Sequence, residues 1–303
     1  MNRRSFLQSF AASSLVAAAP AVTRAQPPAT QAAGSSFQLS VMLWTVFHDL
    51  PFEQRLEKIA SAGYRNVELV GEYRNWSPAQ FAGANAARAR LGISFDATAG
   101  LVHGVADPAA REAFLAELRQ SLGTMETLAY PAMIGLSGNV VPGLSRQAQH
   151  QSCIEGLKRA AALVEGRHIA GQPVRLLLEC IDPEENPKYF LTSAAEAIQI
   201  VRAVNHPQVQ FLYDLFHEQI AEGNLIEKLQ KHIDVIGLIH VADVPGRHQP
   251  GTGEINYTNI YRKLFELNYH RCIAMEFVPA GDPLQALTQA RQALESAWPL
   301  SNA

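Results

Sequence analysis

The chain has 303 residues, of which 48% are apolar and 17% charged, with a formal charge of −3. That suffices for one large hydrophobic core or two small ones. The three cysteines, Cys153, Cys180 and Cys272, have no metal-type spacing and an odd count, which excludes a disulfide framework and reads as buried thiols.

The first 25 residues carry Arg3-Arg4-x-Phe6-Leu7, an apolar Ala-rich stretch from Phe10 to Val22, and the small-residue site Thr23-Arg24-Ala25. This reads as a twin-arginine signal peptide, too short and too Ser-interrupted for a membrane span. The expectation is a periplasmic protein with no stable membrane anchor after cleavage. Without residues 1–25 the chain keeps 22 basic and 28 acidic residues, a charge of −6, which disfavours nucleic acid as a partner.

Residues 26–36 (QPPATQAAGSS) read as a linker to one domain over 37–303. QLSVMLWT (38–45) is a first strand, and FEQRLEKIASAGY (52–64) a helix stopped by Gly63. NVELV (66–70) is a second strand; Ser77-Pro78 then opens a helix as N-cap and first residue. A strand over 92–100, a helix from Asp107 to about Leu128, a strand over 132–138 and a helix over 145–168 follow. VRLLLEC (174–180), VQFLYD (209–214), VIGLIHVA (235–242) and CIAMEF (272–277) are the fifth to eighth strands. Helices over about 192–204, 219–232, 257–269 and 283–298 separate and close them. Eight strands alternating with eight helices predict a single (β/α)8 TIM barrel. A doubly wound sheet would carry a glycine-rich phosphate loop after the first strand, where TVFHDLPF (45–52) has no glycine.

The last four strands each end near a metal-type or acid–base side chain: Glu179, Asp214, His240 and Glu276. A carboxylate inside an apolar run is costly unless paired or bound to a cation. Any one of the four, taken alone, reads as a strand-end ion pair; four in succession place their side chains on the face where barrel active sites lie. Three carboxylates and one imidazole suit a divalent cation such as magnesium, manganese or cobalt. Glu68, near the end of the second strand, is a candidate to hydrogen-bond substrate or a neighbouring ligand, with a structural ion pair as the alternative.

Three stretches carry a family resemblance: Glu179-Cys-Ile-Asp-Pro-Glu-Glu-Asn-Pro-Lys-Tyr189, Asp214-Leu-Phe-His217, and the block from His240 through Pro245-Gly-Arg-His-Gln-Pro250 to Gly253-Glu-Ile-Asn-Tyr257. The chain resembles the hydroxypyruvate isomerase branch of the xylose isomerase-like barrels, which also contain ketose 3-epimerases. The resemblance runs from about Leu39 to Ala280. It implies that Glu179, Asp214, His240 and Glu276 are metal ligands, with Glu179 and Glu276 also the catalytic acid–base pair. It implies that His217 and Arg247 hold substrate oxygens; His248, beside Arg247, joins them as a substrate-binding candidate. Position 240 is commonly glutamine in the hydroxypyruvate branch and histidine in the epimerase branch.

Removing a proton from carbon beside a carbonyl and stabilising the enediolate is work for these residue types. The leading expectation is therefore a metal-dependent isomerase of small hydroxy-carbonyl compounds, hydroxypyruvate to tartronate semialdehyde in type. The alternatives are a periplasmic ketose or keto-sugar 3-epimerase or isomerase, a non-catalytic periplasmic sugar-binding barrel, and a metal-cluster nuclease that the charge of −6 opposes. A homo-oligomer stays open.

Overall fold

The computed structural model describes residues 37–297. The expected signal (1–25) and linker (26–36) lie outside the described residues. Eight parallel strands form the centre: β1 (Gln38–Met42), β2 (Asn66–Leu69), β3 (Ser94–Thr98), β4 (Ala132–Leu136), β5 (Arg175–Glu179), β6 (Val209–Asp214), β7 (Ile236–Val241) and β8 (Cys272–Met275). They pair in chain order, and β8 pairs with β1 to close the barrel. Around it run α1 (Phe52–Ser61), α2 (Pro78–Leu91), α3 (Arg111–Leu128), α4 (Arg146–Val164), α5 (Ala194–Val204), α6 (Leu215–Ala221), α7 (Leu225–His232), α8 (Tyr257–Glu266) and α9 (Pro283–Ala297). The predicted TIM barrel is the observed fold.

Side chains along a strand alternate between two faces, and here the two faces bury different sets. Leu176, Leu178, Phe211, Tyr213, Ile239, Val241, Ile273 and Met275 face outward and pack under the helices. Leu177, Leu212, Leu238, Cys272 and Ala274 face inward and fill the lumen with Met42, Ala97, Ala132 and Ile134. Continuing that inward phase by one step places Glu179, Asp214, His240 and Glu276 on the lumen side, above this apolar plug. The register agrees: Asp214 pairs with His240, and His240 pairs with Ala274, two residues before Glu276. At Gly237 the register shifts, and a Cβ there would lie 2.7 Å from Leu177 Cδ2, so the lumen packing requires glycine.

The structure corrects several boundaries. β1 ends at Met42; a 3-10 turn, Leu43–Thr45, follows, held by Thr45 Oγ1 donating to the Met42 carbonyl at 2.9 Å. α3 starts at Arg111 rather than Asp107, which instead accepts the Ala109 N–H at 2.8 Å in a preceding turn. α4 stops at Val164, and a two-residue hairpin (His168–Ile169 with Gln172–Pro173) fills the space before β5. The expected helix over 219–232 is two helices. α6 begins directly on β6, and Gly223 and Asn224, at φ of 64° and 53°, separate it from α7. All three cysteines are buried and free.

Candidate active site

β5, β6, β7 and the exit of β8 bring Glu179, Asp214, His240 and Glu276 together. One ligand atom from each lies within 4.8 Å of all the others. His240 Nδ1 is 2.8 Å from Glu276 Oε2, 3.6 Å from Glu179 Oε1 and 4.0 Å from Asp214 Oδ2. Asp214 Oδ2, His240 Nδ1 and Glu276 Oε2 are buried and make no hydrogen bond of good geometry, although each has a charged neighbour within ion-pair distance. Buried polar atoms are rarely left so. Three buried atoms without a well-formed hydrogen bond, clustered with Glu179, fit a divalent cation of the oxygen-preferring kind, which would displace the proton from His240 Nδ1.

The remaining polar atoms of Asp214, Glu276 and His240 have partners of their own. Asp214 turns Oδ1 away and caps α6, accepting the N–H groups of Phe216 at 2.8 Å and His217 at 3.4 Å. Glu276 Oε1 accepts the indole N–H of Trp44 at 3.0 Å. His240 Nε2 sits 2.9 Å from Glu68 Oε2. Of the two partners expected for Glu68, substrate or a neighbouring ligand, the contact found is to the neighbouring ligand candidate His240. Glu68 is fully buried behind His240, where it orients the ring so that Nδ1 faces the cluster.

The long loop after β7 is built around Asp243. Its Oδ1 accepts the N–H of Val244 and Ile255, each at 3.0 Å, and Oδ2 those of Gly251 (2.8 Å) and Gly253 (2.9 Å). A Cβ at Gly253 would lie 2.0 Å from the Val244 carbonyl oxygen, so packing requires glycine there, while Gly251 answers to its left-handed φ of 91°. The loop delivers Arg247, in left-handed conformation at φ 55°, over the cluster. Arg247 Nη2 lies 2.9 Å from Glu276 Oε2 and 3.6 Å from Asp214 Oδ2, while Nη1 donates to both oxygens of Glu185 at 2.8 Å. Its guanidinium lies 5.0 Å from the Phe216 ring centre and 5.5 Å from that of Trp44. His248 Nδ1 is 2.8 Å from the Val278 carbonyl, so this ring nitrogen fastens the loop to the exit of β8. His217, in the first turn of α6, points Nε2 to within 3.4 Å of Asp214 Oδ2 and Nδ1 to within 2.6 Å of Asp182 Oδ2.

The electrostatics divide the two glutamates. Burial pushes the Glu276 carboxyl up, but the His240 and Arg247 charges outweigh it and hold the group well below the usual carboxylate range. Glu179 is raised by burial, with His240 pulling against it and the Glu276 and Asp214 charges adding. Glu68 is raised by burial against the pull of His240. For His240, burial disfavours the imidazolium, yet the Glu276 and Glu68 carboxylates carry its pKa well above the ordinary value. For His217, burial is likewise outweighed, by Asp214 and Asp182, and its pKa rises to about 9.

Trp44, Asp182 and Glu185 join the site. The signal for Trp44 is an aromatic just past the end of β1; for the other two it is their place within ten residues of Glu179 on the strand exit.

The comparisons with known proteins agree with this geometry. The family model for the xylose isomerase-like TIM barrel matches residues 56–297. The chain belongs to that family. Among curated relatives, a putative hydroxypyruvate isomerase of Danio rerio is 30% identical over 262 residues, 82% of this chain and 92% of that protein. A 2-oxo-tetronate isomerase of Pectobacterium atrosepticum is 30% identical over 265 residues, 82% of this chain and 95% of its own. Among solved structures, one described as an AP endonuclease, family 2, from Brucella melitensis superposes with a TM-score of 0.75 at 25% identity, covering 84% of this chain and 98% of that one. By its kinship with these relatives this member of the xylose isomerase-like family is an enzyme of the isomerase class.

Proposed function

We propose that the protein is a divalent-metal-dependent isomerase of small hydroxy-carbonyl compounds, acting through an enediolate in the manner of hydroxypyruvate isomerase. The observation that carries this reading is the clustering with Glu179 of three buried atoms without a well-formed hydrogen bond, Asp214 Oδ2, His240 Nδ1 and Glu276 Oε2. Glu179, Asp214, His240 and Glu276 would hold the cation. When bound it supplies Lewis-acid polarisation of a carbonyl. Glu179 and Glu276 reach His240 from strands on either side of it, so a small substrate at the mouth lies between two carboxylates. One takes the carbon-bound proton, and the other, or the same one, returns it to the neighbouring carbon. Trp44 holds Glu276 by one oxygen and leaves the second facing the site. Arg247 and His217 supply donors for substrate oxygens, and the rings of Trp44 and Phe216 limit water around the guanidinium.

The names of the curated relatives support the isomerase reading. A second reading, a ketose or keto-sugar 3-epimerase, is favoured by the histidine at 240 and by the carboxylate on each side, which suits inversion of one carbon. Non-catalytic sugar binding would leave two carboxylates placed for proton transfer without a use. A nuclease sits poorly with the acidic balance of the chain and with a single imidazole among the four clustered residues.

The test uses full-chain protein loaded with manganese or magnesium, in D2O, with hydroxypyruvate, other short 2-keto acids and small ketoses. Deuterium should enter the substrate carbon and chelation should abolish the exchange. A displaced carbonyl identifies the isomerase and an inverted stereocentre the epimerase; no exchange with any compound would overturn both. The reading extends to export by the twin-arginine route. Replacing Arg3 and Arg4 by lysine should leave uncleaved precursor in the cytoplasm, and unchanged export would reject that assignment.

A further inference from the structure

Three residues beyond Glu179, the chain leaves β5 with a fully buried carboxylate, Asp182, that none of the roles above employs. Loops normally keep charge in water, and a buried carboxylate is costly unless its oxygens are satisfied. Both are. Asp182 Oδ2 is 2.6 Å from His217 Nδ1. Oδ1 accepts the backbone N–H groups of Glu184 at 2.8 Å and Glu185 at 2.9 Å. The Asp182 carbonyl also accepts the N–H of Asn186 at 3.2 Å, closing the turn.

We infer that Asp182 is the positioning residue of the site, one carboxylate that sets the ring of His217 with one oxygen and the Glu185–Arg247 arm with the other. The inference rests on the reading that His217 and Arg247 face substrate, and it adds what holds them there. His217 Nδ1 has two neighbours on Asp182, the carboxylate oxygen at 2.6 Å and the backbone N–H at 3.4 Å. The shorter, charge-assisted contact fixes Nδ1 as the donor. Nε2 is then the nitrogen that faces the metal-type cluster, 3.4 Å from Asp214 Oδ2. With both partners buried, rotating the ring would strand a carboxylate oxygen away from water. On the second path Oδ1 fixes the backbone of Glu185. Glu185 holds Arg247 Nη1 with both carboxylate oxygens, and Arg247 Nη2 reaches Glu276. The two substrate-facing arms thus share one anchor, and each ends on a different member of the cluster.

The two oxygens can be separated by mutation. Asp182→Asn keeps an acceptor for the turn but puts an NH2 where Nδ1–H needs an acceptor, so it cuts the His217 path alone. Asp182→Ala cuts both. Full-chain protein labelled with 15N-histidine reports the first step without any substrate. The wild type should show a solvent-protected Nδ1–H for His217, identified by its loss in His217→Gln, and Asp182→Asn should lose that protected signal. Manganese content of Asp182→Asn should stay within twofold of wild type, whereas Asp214→Asn should lose metal. Turnover should fall about 10–100-fold in Asp182→Asn with a smaller change in KM, the size usual for a group that orients a site residue. Asp182→Ala should fall further. In a His217→Gln background Asp182→Asn should add less than a twofold loss. Asp182→Ser, whose hydroxyl can still cap the turn, carries the same expectations should the asparagine variant not fold. An unchanged, solvent-protected His217 Nδ1–H in Asp182→Asn, or a full additional loss in the His217→Gln background, would overturn the inference. Should no compound turn over at all, the reading of function fails, and the NMR and metal arms still decide the role of Asp182.

Discussion

Glu179 and Glu276 have the same residue type and the same depth but different neighbours. Glu276 is held by the Trp44 indole, Arg247 and His240, while among the described residues Glu179 has one cationic side chain within ion-pair distance, His240 at 3.6 Å. In the proposed mechanism a substrate would lie between these two carboxylates, whereas Asp214 divides its oxygens between the cluster and the α6 cap. Substitution to the amide separates these roles. Glu179→Gln and Glu276→Gln keep size and one oxygen donor but lose basicity, so turnover should drop about 10²–10⁴-fold, as for a lost general base. Asp214→Asn remains a good N-cap, so the fold should hold while metal affinity falls. Turnover measured against manganese concentration should therefore recover in part for Asp214→Asn and stay low for the two glutamate variants. Equal recovery in all three would remove the acid–base role from both glutamates.

At the scale of elements, the junction after β6 shows what the sequence conceals. The eight strands were legible because each is a short apolar run, and the four clustered residues were legible because a strand end fixes where its last side chain sits. The start of α6 was not. Leu215, Phe216, His217 and Glu218 are all buried, so no amphipathic pattern marks the helix, and its cap is the last residue of the strand itself. The break before α7 depends on two left-handed residues, Gly223 and Asn224, which read equally well as helix interior and end. Likewise, the sequence placed Glu68 at a strand end without showing that it stands behind His240. Asp182 and Glu185 belong to a turn whose shape no periodicity encodes. Lys228, on α7, bridges the break to Glu218 at 3.1 Å and Glu222 at 2.6 Å. Burial raises the Glu218 carboxyl to about 7 despite that pairing. A raised acid stabilises the fold fully below its unfolded value of about 4.5, and the contribution is lost as pH climbs through about 7. The full loss is roughly 3 kcal/mol at most, taking about 1.4 kcal/mol for each pH unit between the two values. Denaturant midpoints at pH 5 and pH 8 should therefore differ less in Glu218→Gln than in the wild type. A Gln variant with the wild-type pH dependence would place the titration elsewhere.

At the scale of the whole molecule, the clustered residues come from four consecutive segments, β5, β6, β7 and the exit of β8, that make up one half of the closed ring. That half packs three carboxylates on the lumen side, with His240, His217 and Arg247 to balance them together with Glu68, Asp182 and Glu185. A divalent cation, as proposed, would relieve the excess negative charge and tie the four segments to one point, so its binding energy would add directly to the stability of that half. Ligand linkage gives about 2.7 kcal/mol when free metal is at 100 times its dissociation constant. For a domain of this size each kcal/mol moves the melting point by about 2–4 °C. Chelation should accordingly lower the Tm of the full chain by roughly 5–10 °C, with manganese restoring it. The effect should also be localised. The opposite half, β1 to β4, supplies none of the four residues and is held by its own helices and the lumen plug of Met42, Ala97, Ala132 and Ile134. Amide hydrogen exchange with and without metal should show the gain in protection concentrated in residues 175–179, 209–221, 236–256 and 272–278. Residues 66–98 should change little, because local opening there breaks no contact to the cation. Uniform protection around the ring would mean that the barrel opens only as a unit, and no change in either half would mean that these four side chains hold no metal.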